Sequence, residues 1–275
     1  MKITTKDDYI QSVCKVILYI EQNYNDNLTL EELSKIASFS KYHFHRIFKS
    51  IVGENLSDYI RRVRLQSTTL KFKTNQKITE IALSSGYETN ASFSKAFKKH
   101  FGITPKEFSQ NAKIKKGLKM LKPKFVEIES VDILYVRKTG DYTKSCGEAW
   151  QVLLDFITNQ NIKNKVIMRI GIGHDNPNVT ATDKLRCDAC IELNDKNIKP
   201  SGKVLSKRIN GGKYAMFLHV GSYEKLKSVY DEIGDWIVQS DIELRDEPMF
   251  EKYLDIDPRV INPENLKTEI YVPIK

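Results

Sequence analysis

The chain has 275 residues, 40% hydrophobic and 29% charged, the proportions of a globular protein long enough for two domains. Its formal net charge is +9, and four cysteines make no disulfide framework. No apolar run approaches the ~20 residues of a membrane span, and the stretch from Met1 to Asp8 lacks the apolar core of a secretion signal. The expected compartment is therefore the cytoplasm, with no membrane partner.

The charge is uneven. Residues 1–122 hold 22 Lys+Arg against 11 Asp+Glu, whereas residues 123–275 hold 22 against 24. A solvated basic face and a polyanionic partner both account for that imbalance.

The first half reads as helices throughout. Ile10, Val13, Ile17, Ile20 and Tyr24 keep helical spacing. Thr29-Leu30-Glu31-Glu32 has capping-box form, and Leu33 and Ile36 continue its apolar face. Ser40 is a second cap, ahead of Phe44, Ile47, Phe48 and Ile51. Leu56, Tyr59, Ile60, Val63 and Leu70 mark a longer helix, and Thr104-Pro105-Lys106-Glu107 opens another. Within this half, Phe44-x-x-x-Phe48-Lys49-x-x-x-Gly53 recurs as Phe93-x-x-x-Phe97-Lys98-x-x-x-Gly102. Tyr59 and Phe108 follow in step, and Ile36-Ala37 and Ile81-Ala82 precede the two copies.

Phenylalanines at i and i+4 share a helix face and turn inward. The opposite face offers Lys41, Tyr42, His45, Arg46 and Lys49 in the first copy, and Asn90, Ala91, Ser92, Lys95, Lys98 and Lys99 in the second. These types suit double-stranded DNA: arginine matches a guanine edge, asparagine an adenine edge, and lysine and serine reach phosphates. A 17-residue connecting helix over 56–72, about 25 Å long, is suited to setting two such readers on successive major grooves. Arg61, Arg62 and Arg64 lie along it, either toward phosphates or as a solvated helix face.

Ile81-Ala82-x-x-x-Gly86-Tyr87-x-x-x-x-x-Phe93-Ser94-Lys95-x-Phe97-Lys98-x-x-x-Gly102-x-x-Pro105 resembles the AraC/XylS-type transcription regulators. The resemblance covers about residues 5–112 and implies a seven-helix domain with two helix-turn-helix units. The family's base-contact positions correspond to Tyr42, His45 and Arg46 in the first reader, and to Asn90, Ala91, Ser92 and Lys95 in the second. Two departures, Ser109 in place of a frequent arginine and the small Ala91, bear on sequence preference. A basic linker over 113–123 carries Lys113, Lys115, Lys116, Lys119 and Lys122, and Lys124 follows it. Ile114, Leu118 and Leu121 sit there at helical spacing, as an extension of the last helix or a phosphate-contacting tail.

From Pro123 the pattern changes. Alternation predicts strands at 125–129 and 133–137, a helix from Glu148 to Ile157, and strands at 166–172 and 186–193. The set recurs as a strand over 214–220, a helix over 226–238 and strands at 249–254 and 268–272. Thr139-Gly140-Asp141-Tyr142 parallels Val220-Gly221-Ser222-Tyr223, and Asp155-Phe156-Ile157 parallels Asp235-Trp236-Ile237. The predicted fold is multidomain: an all-α double helix-turn-helix domain over 1–112, then an α+β domain over 124–275 of two pseudo-symmetric β-α-β-β repeats.

A duplicated unit offers a cleft between its copies. In the strand Met249-Phe250-Glu251-Lys252-Tyr253-Leu254, Glu251 and Tyr253 share a face. An acid among aromatics suits a lipophilic cation, and an edge-strand ion pair is the alternative. Tyr214-Ala215-x-Phe217-x-His219-x-Gly221-Ser222-Tyr223, Trp236, Pro248-x-Phe250-Glu251-x-Tyr253-Leu254 and Thr268-Glu269-Ile270-Tyr271-Val272-Pro273-Ile274 resemble the gyrase-inhibitor-like effector-binding domain. That resemblance implies a central pocket for a small hydrophobic, often cationic ligand. The family's pocket glutamate corresponds to Glu251, with Trp150, Trp236 and Tyr253 as candidate walls.

Other chemistries fit poorly. Cys187-Asp188-Ala189-Cys190 has no second cysteine pair, and on a strand positions three apart face opposite ways, so no metal site is expected. Gly171-Ile172-Gly173 lacks the third glycine of a dinucleotide loop, and no catalytic residue set or cofactor is called for. The expectation is a ligand- or drug-sensing transcription regulator whose partners are DNA, a small hydrophobic ligand and RNA polymerase. The alternatives are a C-terminal hydrolase of a toxic small molecule, or a module that sequesters one.

Overall fold

The computed structural model describes residues 2–72, 76–112, 121–177, 180–240, 242–255 and 258–275. It divides into two compact units, Met1–Ile114 and Lys115–Lys275. Lys113, Lys115, Lys116 and Lys119 of the basic linker, with Ile114 and Leu118, lie outside the described residues.

In the first unit the described residues form α1 (Lys2–Gln22), α2 (Leu30–Ile36), α3 (Lys41–Val52), α4 (Leu56–Lys71), α5 (Ile78–Leu83), α6 (Asn90–Phe101) and α7 (Pro105–Ala112). The internal repeat has a local cause at both ends of its helices. Ser40 and Thr89 accept hydrogen bonds from the His43 and Ser92 amides, which stops two backbone donors from going unsatisfied. Gly53 and Gly102 then close the helices at φ 84° and 77°, a conformation that resists any residue with a Cβ. Thr104 and Glu107 cap α7 reciprocally, as their spacing predicts.

Two cores follow from the two copies. Phe44 and Phe48 pack with Val13, Val16, Ile20, Leu33 and Tyr59. Phe93 and Phe97 pack with Leu65, Phe72, Ile81 and Ala82. Helix α4 serves both, giving Tyr59, Ile60 and Val63 to one and Leu65 to the other. That shared strut fixes one reader relative to the other, because neither core can shift without unpacking α4.

The second unit contains β1 (Lys124–Ile128), β2 (Val131–Thr139), α8 (Tyr142–Asn159), β3 (Val166–Gly173), β4 (Arg186–Leu193), β5 (Leu205–Ile209), β6 (Gly212–Val220), α9 (Leu226–Gln239), β7 (Phe250–Tyr253) and β8 (Lys267–Pro273). The strands form one antiparallel sheet in the order β1-β6-β8-β7-β3-β4-β2-β5. Its centre is the β3–β7 pair, and the order reads the same from either end once the first copy is exchanged for the second. The duplicated β-α-β-β unit is therefore present as β2-α8-β3-β4 and β6-α9-β7-β8. Each copy is preceded by one further strand, β1 or β5. Strand β5, with Ser206, Lys207 and Arg208 in its middle, carries no apolar alternation and was not expected from sequence.

The connections force the sheet to curl. β1 and β2 are joined by two residues, which reach about 10 Å at most; six inter-strand steps in a flat sheet span roughly 29 Å. The two short connections meet instead, with the Gly211 amide donating to Ser130 Oγ at 2.9 Å. Helix α8 lays Ala149, Leu153, Phe156 and Ile157 over Leu134 and Val136 of β2 and Ala189 and Ile191 of β4. Helix α9 sets Trp236 against Phe217 of β6.

Candidate functional site

The first candidate surface is the outward side of α3 and α6. With Phe44, Phe48, Phe93 and Phe97 fully buried, helical geometry leaves Tyr42, His45, Arg46 and Lys49 exposed on α3. Asn90, Ala91, Ser92, Lys95 and Lys98 are exposed on α6. Tyr42 is 74% exposed, and the Arg46 guanidinium lies 5.6 Å from its ring centre, so the two present one amphipathic patch. Two of the residues have local duties. Lys41 pairs with Glu31 at 2.8 Å, and the Ser92 hydroxyl bonds the Thr89 carbonyl at 2.8 Å within the helix cap.

The α4 arginines divide differently from either sequence-level reading. Arg62 is buried against Glu54 and lies 5.0 Å from the Tyr59 ring centre. Arg64 donates to the Tyr24 and Asp26 carbonyls at 2.7 Å each, which fastens the connection between α1 and α2 to α4. Arg61 pairs with Asp58 on the surface. Arg62 and Arg64 therefore hold the fold.

The second candidate site lies where the copies of the other unit meet. Glu251 on β7 is directly opposite Gly171 on β3. Its carboxylate accepts from Tyr230 of α9 at 2.9 Å and from Tyr253 at 2.6 Å. The ring of Tyr253 is flanked by Trp150 of α8 at 5.8 Å and Tyr223 at 5.3 Å between centres. Burial raises the Glu251 carboxyl above the ordinary carboxylate range, against the pull of the two hydroxyls and of His219. Burial, and then the charge of Glu251, also hold the Tyr230 and Tyr253 hydroxyls protonated well past their usual range. An acid that is half-buried, hydrogen-bonded and flanked by aromatic rings has the chemistry of a receptor for an organic cation or a hydrogen-bond donor.

The geometry depends on a missing side chain. A Cβ at Gly171 would fall 2.2 Å from the Tyr253 hydroxyl, so only glycine lets that ring lie across β3 and reach Glu251. Within the repeat, Gly171 stands 80 residues before Glu251, as Trp150 stands 80 before Tyr230. One copy thus supplies the acid, the other the space beside it, and both a wall.

Of the sequence candidates, the structure brings Glu251, Tyr253 and Trp150 together. It places Trp236 elsewhere, only 4% exposed and packed on Phe217 at 5.0 Å and Phe125 at 6.4 Å. Trp236 occupies the repeat position of Phe156, a core residue of α8, which explains why it is core as well. Tyr230 was missed, although the repeat alone would have located it opposite Trp150. Among the described residues no cluster of three metal-ligating side chains occurs. No helix among them is long and apolar enough to cross a membrane.

Two helix-turn-helix readers and a second unit with a half-buried, aromatic-flanked acid point to a DNA-binding regulator that carries a small-molecule-binding domain. Comparison with known proteins gives the same class. Residues 121–275 match the GyrI-like small molecule binding domain, and residues 33–111 match a helix-turn-helix domain. The HTH-type transcriptional activator AarP of Providencia stuartii is 31% identical over 113 residues, 41% of this chain and 84% of that protein. The right origin-binding protein of Escherichia coli K12 is 25% identical over 288 residues, 94% of this chain and 96% of that one. The C-terminal domain of AraT from Geobacillus stearothermophilus, a solved structure 25% identical, superposes with a TM-score of 0.36 on 39% of this chain and 91% of its own. The chain belongs to the AraC-type DNA-binding transcription regulators and carries a C-terminal GyrI-like small-molecule-binding domain.

Proposed function

We propose that α3 and α6 read a double-stranded DNA site through Tyr42, His45 and Arg46 and through Asn90, Ala91, Ser92 and Lys95, while Lys41, Lys49 and Lys98 engage phosphates. The GyrI-like unit takes a hydrophobic, cationic small molecule at Glu251, between Trp150, Tyr230 and Tyr253. Ligand occupancy alters DNA binding or contact with RNA polymerase in the cytoplasm, by the difference in ligand affinity between two states of the protein. The unit binds its ligand without turning it over. The observation that supports this reading is the half-buried Glu251 carboxylate, with a tyrosine hydroxyl on each oxygen and aromatic rings beside it.

Two measurements on the full chain test it. On a selected duplex, Arg46→Ala costs about 1–3 kcal/mol and relaxes base preference at one position; unchanged affinity and specificity remove Arg46 from the reading set. In calorimetry, Glu251→Gln weakens benzyltrimethylammonium more than its uncharged carbon isostere neopentylbenzene. Equal losses make Glu251 structural, and turnover of a bound ester that Glu251→Gln abolishes makes the unit a hydrolase.

A further inference from the structure

Arg64 lies at a joint between the two reader units. Its Nε donates to the Tyr24 carbonyl and its Nη2 to the Asp26 carbonyl, so one planar guanidinium spans two acceptors of the α1–α2 connection. The other side of the joint is the α5–α6 turn. A Cβ on Gly86 would fall 2.9 Å from Arg64 Nε, 3.1 Å from its Cζ and 3.1 Å from the Asn25 carbonyl oxygen. Gly86 therefore sits against both the arginine and the backbone that the arginine holds.

The turn itself does not require that glycine. Gly86 has φ 77°, and the left-handed residue after α2 in the first copy is Ser38 at φ 60°, which carries a Cβ. What excludes a side chain at Gly86 is the space taken by Arg64 and Asn25. The two turns differ in length as well: residues 37–40 separate α2 from α3, whereas residues 84–89 separate α5 from α6. The longer turn carries Gly86 to the joint.

Helix α4 alone fixes the separation of α3 and α6 better than their angle, because a helix curves gently at little cost. A second contact beside α4 resists that curvature, as a brace resists the swing of a hinge. The geometry points to Arg64 as a positioning residue for DNA reading: clamped to the Tyr24 and Asp26 carbonyls and seated on Gly86, it sets the angle between the readers and so the spacing of half-sites that the protein accepts. This rests on the reading that both α3 and α6 engage DNA. One base pair moves a half-site by ~3.4 Å and turns it by ~35° about the duplex. Braced readers reject a site lengthened or shortened by one pair, and loosened readers follow it.

The test uses the full chain and a duplex selected from random sequence by the native protein, remade with one base pair removed from or added between the two footprinted half-sites. The native protein should bind the altered spacings about tenfold less tightly. Arg64→Lys keeps the charge, and with it the salt dependence of binding, but an ammonium cannot span two carbonyls as a fork does; its spacing preference should shrink severalfold. A purely structural role would weaken binding to all three duplexes by the same factor. An unchanged preference in an Arg64→Lys chain that keeps the native helical circular dichroism therefore overturns the proposal. Gly86→Ala wedges the same joint with Arg64 in place, and should flatten the preference or move it to a neighbouring spacing; it decides the matter if Arg64→Lys fails to fold. A native protein that binds all three spacings equally overturns the two-reader reading and the proposal with it, an outcome distinct from a preference that the variants keep.

Discussion

Replacing Gly171 with alanine tests the logic of the ligand site directly. The new Cβ would sit 2.2 Å from the Tyr253 hydroxyl and 3.0 Å from its Cζ, so the ring must move. Trp150 and Tyr223 flank that ring, so the move is resisted by packing and costs about 1–3 kcal/mol. It also pulls the hydroxyl from Glu251, and a hydrogen bond to a charged group contributes roughly 1.5–3 kcal/mol. Tyr253→Phe loses the same hydrogen bond without the clash. The double variant Gly171→Ala/Tyr253→Phe relieves the closest contact and has no hydroxyl left to displace. The two single losses therefore do not add, and the double variant costs at least ~1 kcal/mol less than the sum of the singles. Both tryptophans of the chain, Trp150 and Trp236, lie in this unit, so urea unfolding followed by their emission reports it alone. Additivity within about 0.5 kcal/mol would mean that Gly171 and Tyr253 act independently, and the account of the site would be wrong.

Glu251→Gln should shift the dependence of this unit's stability on pH. A carboxyl raised in the folded state keeps its proton longer there, so the native protein loses stability as pH rises from the unfolded carboxyl value, about 4.3, through the folded one. The native protein's stability relative to the Gln variant falls across that window and is level below it; urea midpoints at a series of pH values check this, and a difference that stays flat refutes it. In the first unit, Glu54→Ala takes the carboxylate away from the buried Arg62 and should cost about 3–5 kcal/mol. Asp58→Ala, which frees the exposed Arg61, should change thermal stability by less than about 1 kcal/mol, and equal losses from the two would contradict the assignment of Arg62 to the interior.

The helical unit was legible because its repeat is written in residues with strict local requirements. A cap, two phenylalanines one turn apart and a glycine at positive φ leave little choice of structure, and the exposed face follows by subtraction. The arginines of α4 were not legible: three basic residues within four positions look alike in sequence, and the partners of Arg62 and Arg64 come from Glu54 and from the connection between α1 and α2. In the second unit, alternation revealed every strand with an apolar face but not β5, whose central residues are polar. Aromatic content could not separate the wall residue Trp150 from the core residue Trp236, since both rings are equally apolar. Position within the duplication does separate them, and the same comparison points to Tyr230.

The strand order of the second unit has a consequence for how it can be divided. β1 leads directly into β2 yet bonds only to β6, and β5 leads into β6 yet bonds only to β2. Each half of the chain lends its leading strand to the other, so a half expressed alone would expose two bare flanks, on β2 and β3 or on β6 and β7, and carry one strand with nothing to join. Two identical halves would satisfy both needs by trading strands, and the modern single chain is built as such a trade made permanent by a covalent connection.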